Sequence, residues 1–188
     1  MGRYLKFHKP FEVLCQFTDS EGRRTLKEFI SVPGIYPAGR LDYRSEGLLL
    51  LTDDGALIQR LADPRFEHPK TYLAQVEGIL TAQAVKTLQD HIVLPELQTR
   101  KVWAELIPEP DLPPRPVPVR NYHPTSWLRI TLSEGKKHQV RRMTAAVGFP
   151  TLRLVRIAIG PLMLDGLQPG EWKELNLQEM KKLKISRG

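Results

Sequence analysis

Residues 36–55 read YPAGRLDYRSEGLLLLTDDG, a polar, glycine-flanked segment followed directly by the most apolar run of the chain. The four consecutive leucines between Gly47 and Thr52 predict a buried strand. Loops beside rigid strands commonly carry reactive groups, so the polar segment before this strand is a candidate site. Taken alone, Asp42 is more typical of an ordinary turn or cap residue.

The remaining patterns alternate between strands and helices. Strands are predicted over 4–17, 47–52, 70–76 and 151–159, with a further strand pair formed by 100–107 and 126–132. Helices are predicted over 56–62, over 82–91 with Thr81 as N-cap, over 136–147 ending at Gly148, and after Asn176, which has capping-box spacing to Glu179. These elements predict an α+β fold.

Six prolines between Pro108 and Pro118 mark an extended loop, because proline cannot donate a hydrogen bond to a helix or a sheet. Strand-like segments flank this loop on both sides, which favours a connected strand pair over two independent domains. We therefore predict one domain over residues 1–188, with a proline-rich loop at 108–119.

Composition places the chain among folded, non-membrane proteins. Apolar residues make up 41% of the 188 residues and charged residues 26%, and no apolar run approaches the roughly 20 residues that span a bilayer. No secretory signal opens the chain, so a cytoplasmic protein is predicted. The single cysteine excludes an internal disulfide, and the five histidines lack metal-site spacing. No cofactor-binding fingerprint is present, and neither a metal nor a cofactor is predicted.

Net charge points towards an anionic partner. Lysine and arginine outnumber the acidic residues by 28 to 21, giving a net charge of +7, although charge alone leaves nucleic-acid binding undecided. A cluster of cationic residues follows residue 135: Lys136, Lys137, Arg141, Arg142, Arg153 and Arg156. The side chains of Lys136, Lys137, Arg141 and Arg142 would lie in the first turns of the predicted helix and oppose its dipole, so an anionic ligand would stabilise them.

Several short motifs occur together, in the order found in a known enzyme family. They are FHKP at 7–10, GRLD at 39–42 with SEGLLLLT at 45–52, HPKTY at 68–72, EGKKHQVRRM at 134–143, VGFP at 147–150, LVRI at 154–157 and IGPL at 159–162. Over nearly its whole length the chain resembles the RsuA/RluB/E/F group of ribosomal RNA pseudouridine synthases.

This resemblance implies a mixed, largely antiparallel central sheet flanked by helices, with an active-site cleft across the sheet and two subdomains sharing it. It also implies a monomeric enzyme that needs no cofactor and isomerises a specific uridine of 23S ribosomal RNA to pseudouridine. The implied partner is large subunit ribosomal RNA or a pre-ribosomal particle. Many relatives carry an S4 RNA-binding domain before the catalytic domain, and none is expected here.

The same resemblance assigns roles to individual residues. Asp42 matches the catalytic aspartate, Arg141 the arginine that pairs with it, and Tyr72 the active-site tyrosine that stacks on the uracil. Leu154 matches an apolar wall of the pocket, and Arg40 an RNA contact made where the base has left the stack. Further RNA contacts are expected from Lys136, Lys137, Arg142, Arg153 and Arg156.

Two alternative functions are weighed against this one. A non-catalytic RNA-binding or ribosome-assembly protein could keep the fold and the basic face, but it has no need for a carboxylate facing RNA phosphates. A base-excision hydrolase also attacks a glycosidic bond near an aspartate. Such a hydrolase would release free uracil, whereas a synthase leaves the mass of the RNA unchanged.

Overall fold

The computed structural model describes residues 2–63, 68–90, 92–94, 97–120 and 122–184. These residues form two compact units. The first unit contains the chain up to His68 together with the residues from Arg156 onward, and the second contains Pro69–Val155. The first unit is therefore built from two segments that are distant in sequence.

Among the described residues, the first unit contains five strands and part of a sixth, together with two α-helices and one 3-10 turn. Its elements are β1 (Tyr4–Lys9), the 3-10 turn Leu26–Glu28, β2 (Tyr36–Pro37), β3 (Glu46–Thr52), α1 (Gly55–Ala62), β10 (Leu162–Met163), β11 (Trp172–Glu174) and α4 (Leu177–Lys182). Strand β9 (Thr151–Ile159) contributes its residues from Arg156 onward. The strand order is β11-β1-β3-β9, with β2 paired to β3 and β10 to β9.

The second unit contains the other helices and strands. Its elements are β4 (Lys70–Glu77), α2 (Ala82–Gln89), β5 (Val93–Leu94), β6 (Leu97–Gln98), β7 (Trp103–Ile107), β8 (Thr125–Leu132), α3 (Gln139–Ala146) and the first part of β9. The strand order is β9-β4-β8-β7, and β5 pairs with β6 in a separate small sheet. Strands β7 and β8 pair antiparallel, which confirms the strand pair predicted on either side of the proline-rich loop.

Strand β3 forms the centre of the core in the first unit. All seven of its residues are buried, and the four leucines from Leu48 to Leu51 are completely inaccessible to solvent. A strand covered on both faces does not alternate between apolar and polar residues, which explains the continuous leucine run. Each buried leucine stabilises the fold by roughly 1.5–3 kcal/mol.

The close approach of β3 to β9 requires a glycine at Gly47, the second residue of β3. Gly47 has a φ of +103°, and a Cβ atom there would lie 2.2 Å from the carbonyl oxygen of Arg156 and 2.7 Å from its nitrogen. Glycine alone satisfies both the backbone angle and the contact. The GLLLL pattern therefore encodes a strand pairing as well as a buried strand.

Helix ends follow the predicted local signals. Asp54 caps α1 by accepting from the Leu57 N–H, and Thr81 caps α2 by accepting from the Ala84 N–H. The predicted capping box at Asn176 is confirmed. Its partner Glu179 also forms an ion pair of 2.6 Å with the buried Lys6, which fastens α4 to β1.

Several predicted boundaries are wrong, among them the start of the strand predicted over 100–107, which begins at Trp103. Strand β1 ends at Lys9 instead of continuing to residue 17, because Pro10 has no N–H to donate and Glu12 adopts a φ of 55°. Helix α3 begins at Gln139 instead of Lys136, because His138 adopts a left-handed φ of 53°. Lys136 and Lys137 therefore lie before the helix. Helix α2 ends at Gln89, and position 91 is outside the described residues.

The sheet is mixed and largely antiparallel and is accompanied by a few helices, which confirms the predicted α+β class.

Candidate active site

Asp42 lies in the loop between β2 and β3 of the first unit. It is half-buried, the neighbouring Leu41 is buried and Arg40 is exposed. The Ala38 N–H donates to the carbonyl of Leu50 at 2.8 Å, which ties the start of the loop to β3. The loop that carries the carboxylate therefore leads directly into a fully buried strand of its unit.

The main chain around Asp42 is hydrogen-bonded at four consecutive carbonyls, those of residues 40–43. The donors are Arg156 Nη1 at 3.4 Å for Arg40, Cys15 Sγ at 3.3 Å for Leu41, the Ser45 N–H at 3.0 Å for Asp42 and Lys9 Nζ at 3.3 Å for Tyr43. Three of the four donors are buried side chains from distant parts of the sequence. Such a loop is held in one conformation before any substrate arrives.

Lys9 is the most deeply buried of these donors, with 0% of its surface exposed. Its Nζ also donates to the carbonyls of Pro10 and Val13, each at 2.8 Å. Burial lowers the pKa of Lys9 to about 8, while the charges of nearby groups, including Glu46 and Asp42, act in the opposite direction. Lys9 therefore places a positive charge near Asp42 at neutral pH.

Arg156 has a structural position that differs from its predicted one. It is only 2% exposed, and its Nε donates to the carbonyl of Leu48 at 2.8 Å in addition to the contact with Arg40. A guanidinium that is covered by protein and bonded to main-chain carbonyls does not reach an RNA phosphate. The geometry argues against the predicted RNA contact and indicates that Arg156 holds the Asp42 loop against β3.

Tyr72, Arg141 and Leu154 lie in the second unit. Tyr72 is 8% exposed in β4, opposite Ile130 of β8, and Leu154 is 4% exposed in β9. Arg141 is half-buried in α3, and its Nη1 donates to the carbonyl of Thr151 at 3.1 Å. The pairing of Arg141 with Asp42 stays a prediction.

The predicted RNA-contacting cations of the second unit differ in their availability. Lys137 is exposed, whereas Lys136 forms an ion pair of 3.2 Å with Glu134 and donates to the carbonyl of Gln98. Arg142 is half-buried in α3. Lys137 is therefore better placed than Lys136 to meet an RNA phosphate.

Arg153 has a structural role that the sequence did not reveal. It is 8% exposed, and its Nη2 donates to the carbonyl of Pro113 at 2.7 Å. The side chain thus fastens the proline-rich loop to β9. This burial argues against the predicted phosphate contact, as it does for Arg156.

Lys9 and Cys15 are the residues around Asp42 that sequence reasoning left without a role. The FHKP motif contains Lys9, but nothing in that motif indicates a buried amine bonded to a loop more than thirty residues away. Cys15 carries no sequence signal beyond being the single cysteine. Both roles depend on hydrogen bonds to main-chain atoms, which leave no pattern in the sequence.

Neither a metal site nor a membrane span is found in the described part of the chain. Within that part of the chain, no three or more His, Cys, Asp or Glu side chains are grouped so that they could hold a metal ion. No helix described there has the length and apolar character to cross a membrane.

Comparison with known proteins agrees with the motif pattern. Residues 3–146 match the family described as RNA pseudouridylate synthase. The chain is 51% identical over 173 residues to a ribosomal large subunit pseudouridine synthase E of Vibrio vulnificus, covering 91% of this chain and 74% of that protein. It is 53% identical over 167 residues to one of Xanthomonas axonopodis pv. citri, covering 86% and 88%.

A solved structure supports the same assignment. The crystal structure of a pseudouridylate synthase superposes with a TM-score of 0.81 at 31% identity, covering 97% of this chain and 74% of that one. The motifs, the family match and the fold agree, and the chain belongs to the RNA pseudouridylate synthase family, whose members isomerise uridine to pseudouridine.

Proposed function

We propose that this enzyme converts a specific uridine of large subunit ribosomal RNA to pseudouridine, with Asp42 as the catalytic carboxylate. The observation that carries the proposal is the half-buried Asp42 on a loop whose four consecutive carbonyls are hydrogen-bonded. The substrate class follows from the relatives named large subunit pseudouridine synthase E at 51% and 53% identity. The net charge of +7 suits an RNA partner.

The reaction breaks the bond between N1 of uracil and C1′ of the ribose and forms a new bond from C5 to the same C1′. The proton on C5 is lost and N1 gains one, so the mass of the RNA does not change. An ionised carboxylate is suited to this reaction as a nucleophile at C1′ or C6, or as a base. The balance requires no cofactor.

The other site residues assist this chemistry in the proposal. The uridine must leave the base stack to be reached, and we expect the exposed Arg40 to contact RNA at the vacated position. Tyr72 stacks on the uracil, Leu154 contributes an apolar surface, and Arg141 pairs with the catalytic carboxylate. The proposal places the enzyme in the cytoplasm, acting on free ribosomal RNA or on an assembling subunit.

Asp42→Asn tests the proposal directly, because the amide keeps the size of the side chain and removes its charge. A transcript of large subunit ribosomal RNA labelled with tritium at C5 of uridine releases the label only when C5 loses its hydrogen. Wild-type enzyme is expected to release tritium and to create one carbodiimide-dependent reverse-transcription stop. Asp42→Asn is expected to do neither while still binding the RNA.

Asp53→Asn is the matched control, since Asp53 lies eleven positions further along the chain and forms an ion pair with Arg3 at 2.9 Å. It should retain activity. Turnover by Asp42→Asn would remove Asp42 from the chemistry. Binding without tritium release by the wild-type protein would instead identify a non-catalytic RNA-binding protein, and free uracil among the products would identify a hydrolase.

A further inference from the structure

The thiol of Cys15 is paired with the main chain of Leu41, the residue directly before Asp42. Sγ donates to the Leu41 carbonyl and accepts from the Leu41 N–H, both at 3.3 Å. Cys15 and Leu41 are each only 7% exposed, so water competes little for either hydrogen bond. One side chain thus supplies both hydrogen bonds that a neighbouring strand would otherwise make.

The segment that carries the thiol is itself fixed on both sides. The Leu14 N–H donates to the carbonyl of Arg24 at 2.9 Å, and the Gln16 carbonyl accepts from the Leu26 N–H at 2.9 Å. Leu26 is completely buried. Cys15 therefore projects from an anchored main chain, and its thiol transmits that anchoring to the loop.

The carbonyl that the thiol binds lies next to Asp42 in the chain. The carbonyl of Leu41 belongs to the peptide plane that leads into Asp42, so holding it fixes the direction from which the Asp42 side chain leaves the backbone. Lys9 and Arg156 each hold one carbonyl of the loop, at Tyr43 and Arg40. Cys15 holds both polar groups of a single residue, the one directly before Asp42.

We propose that Cys15 is a positioning residue for this reaction, whose thiol fixes the Leu41–Asp42 peptide and so aims the Asp42 carboxylate. The inference rests on the proposed catalytic role of Asp42. A reacting group displaced by about 1 Å loses on the order of 100-fold in rate. Loss of the thiol should therefore reduce kcat and leave RNA binding unchanged.

Cys15→Ser and Cys15→Val form a matched pair at one position. Serine keeps a donor and an acceptor at the same place in the side chain, whereas valine fills the space and offers neither. If the thiol positions Asp42, serine should stay within a few-fold of wild type. Valine should lose about 10–100-fold in kcat on the large subunit RNA transcript, with KM unchanged.

Packing alone predicts the reverse order, because a buried site with no hydrogen bond to offer accepts valine more readily than a hydroxyl group. Equal kinetics for the two variants, or a faster valine variant, would overturn the inference. Thermal unfolding of both variants identifies any loss of activity that comes from incomplete folding.

Hydrogen exchange of the Leu41 amide gives a readout that does not depend on activity. Exchange should be slow in the wild-type protein and faster in Cys15→Val. Rapid exchange in the wild type would contradict the hydrogen bond and overturn the inference. Asp42→Asn in the same kinetic assay separates the two proposals. If Asp42→Asn is active, the catalytic role of Asp42 is refuted. If Asp42→Asn is inactive but Cys15→Ser and Cys15→Val have equal kinetics, only the positioning role of Cys15 is refuted.

Discussion

Gly47→Ala should be among the most destabilising single-methyl additions in the first unit. The new Cβ would lie 2.2 Å from the Arg156 carbonyl oxygen, so β3 and β9 would have to separate by roughly 1 Å to restore an ordinary contact. The φ of +103° adds backbone strain, which costs about 1–3 kcal/mol at a non-glycine residue. Together with the lost pairing, we expect a decrease of about 4 kcal/mol or more in the free energy of unfolding.

Gly22→Ala is the matched control, because Gly22 also has a positive φ, +71°, but nothing lies within 4 Å of its added Cβ. That change should cost only about 1–2 kcal/mol. Urea unfolding followed by circular dichroism measures the free energy of unfolding of both variants. In thermal unfolding, the expected fall in Tm for Gly47→Ala is about 8–16 °C. If the two substitutions differed by less than about 1 kcal/mol, the close approach of β3 to Arg156 would be refuted.

Three further predictions concern Lys9, the surface lysines and Tyr72. Because the pKa of Lys9 is about 8 in the folded protein and near 10.5 in the unfolded chain, the unfolded chain binds more protons between these values. Stability therefore rises as pH increases from about 8 to 10.5, and this gain is lost again as pH falls through about 8. Urea unfolding from pH 7 to pH 10.5 should show wild type gaining about 3 kcal/mol relative to Lys9→Met, and a constant difference would contradict the pKa. Lys137→Ala should reduce the slope of log affinity for RNA against log salt concentration by roughly 0.7 to 0.9. Lys136→Ala should reduce that slope by less, because Lys136 is already paired with Glu134. Identical slopes for Lys137→Ala and wild type would exclude a phosphate contact by Lys137. Tyr72→Phe should bind RNA normally and turn over at least about 10²-fold more slowly if the hydroxyl transfers a proton, whereas equal kinetics would limit Tyr72 to stacking.

Much of the fold could be predicted because the relevant signals are local. The leucine run of β3, the N-cap at Thr81 and the capping box from Asn176 to Glu179 each act over a few residues, and each is confirmed. The errors at the end of β1 and the start of α3 arose where single residues take unusual backbone angles. Glu12 and His138 have φ values of 55° and 53°, which side-chain pattern alone does not indicate for non-glycine residues.

The site was predictable in part for a similar reason. The motif around Asp42 identified the loop, but sequence could not separate cations that face solvent from cations that hold the main chain. Arg153 and Arg156 look like members of a basic cluster, yet both are buried and bonded to carbonyls. The contribution of Cys15 depends on a partner twenty-six positions away and has no pattern of its own.

The discontinuous first unit also sets an order in time during synthesis. Strand β1 pairs with β11 through Leu5 and Glu174, so β1 waits for a partner that is translated more than 160 positions later. The second unit is one continuous segment, Pro69–Val155, and its strands β4, β7 and β8 pair within that segment. At about 5–20 residues per second, the roughly 160 residues between β1 and β11 take about 8–32 seconds to translate. Throughout that interval the edge of β1 that later receives β11 lacks its partner, so the nascent chain is exposed to mispairing at β1.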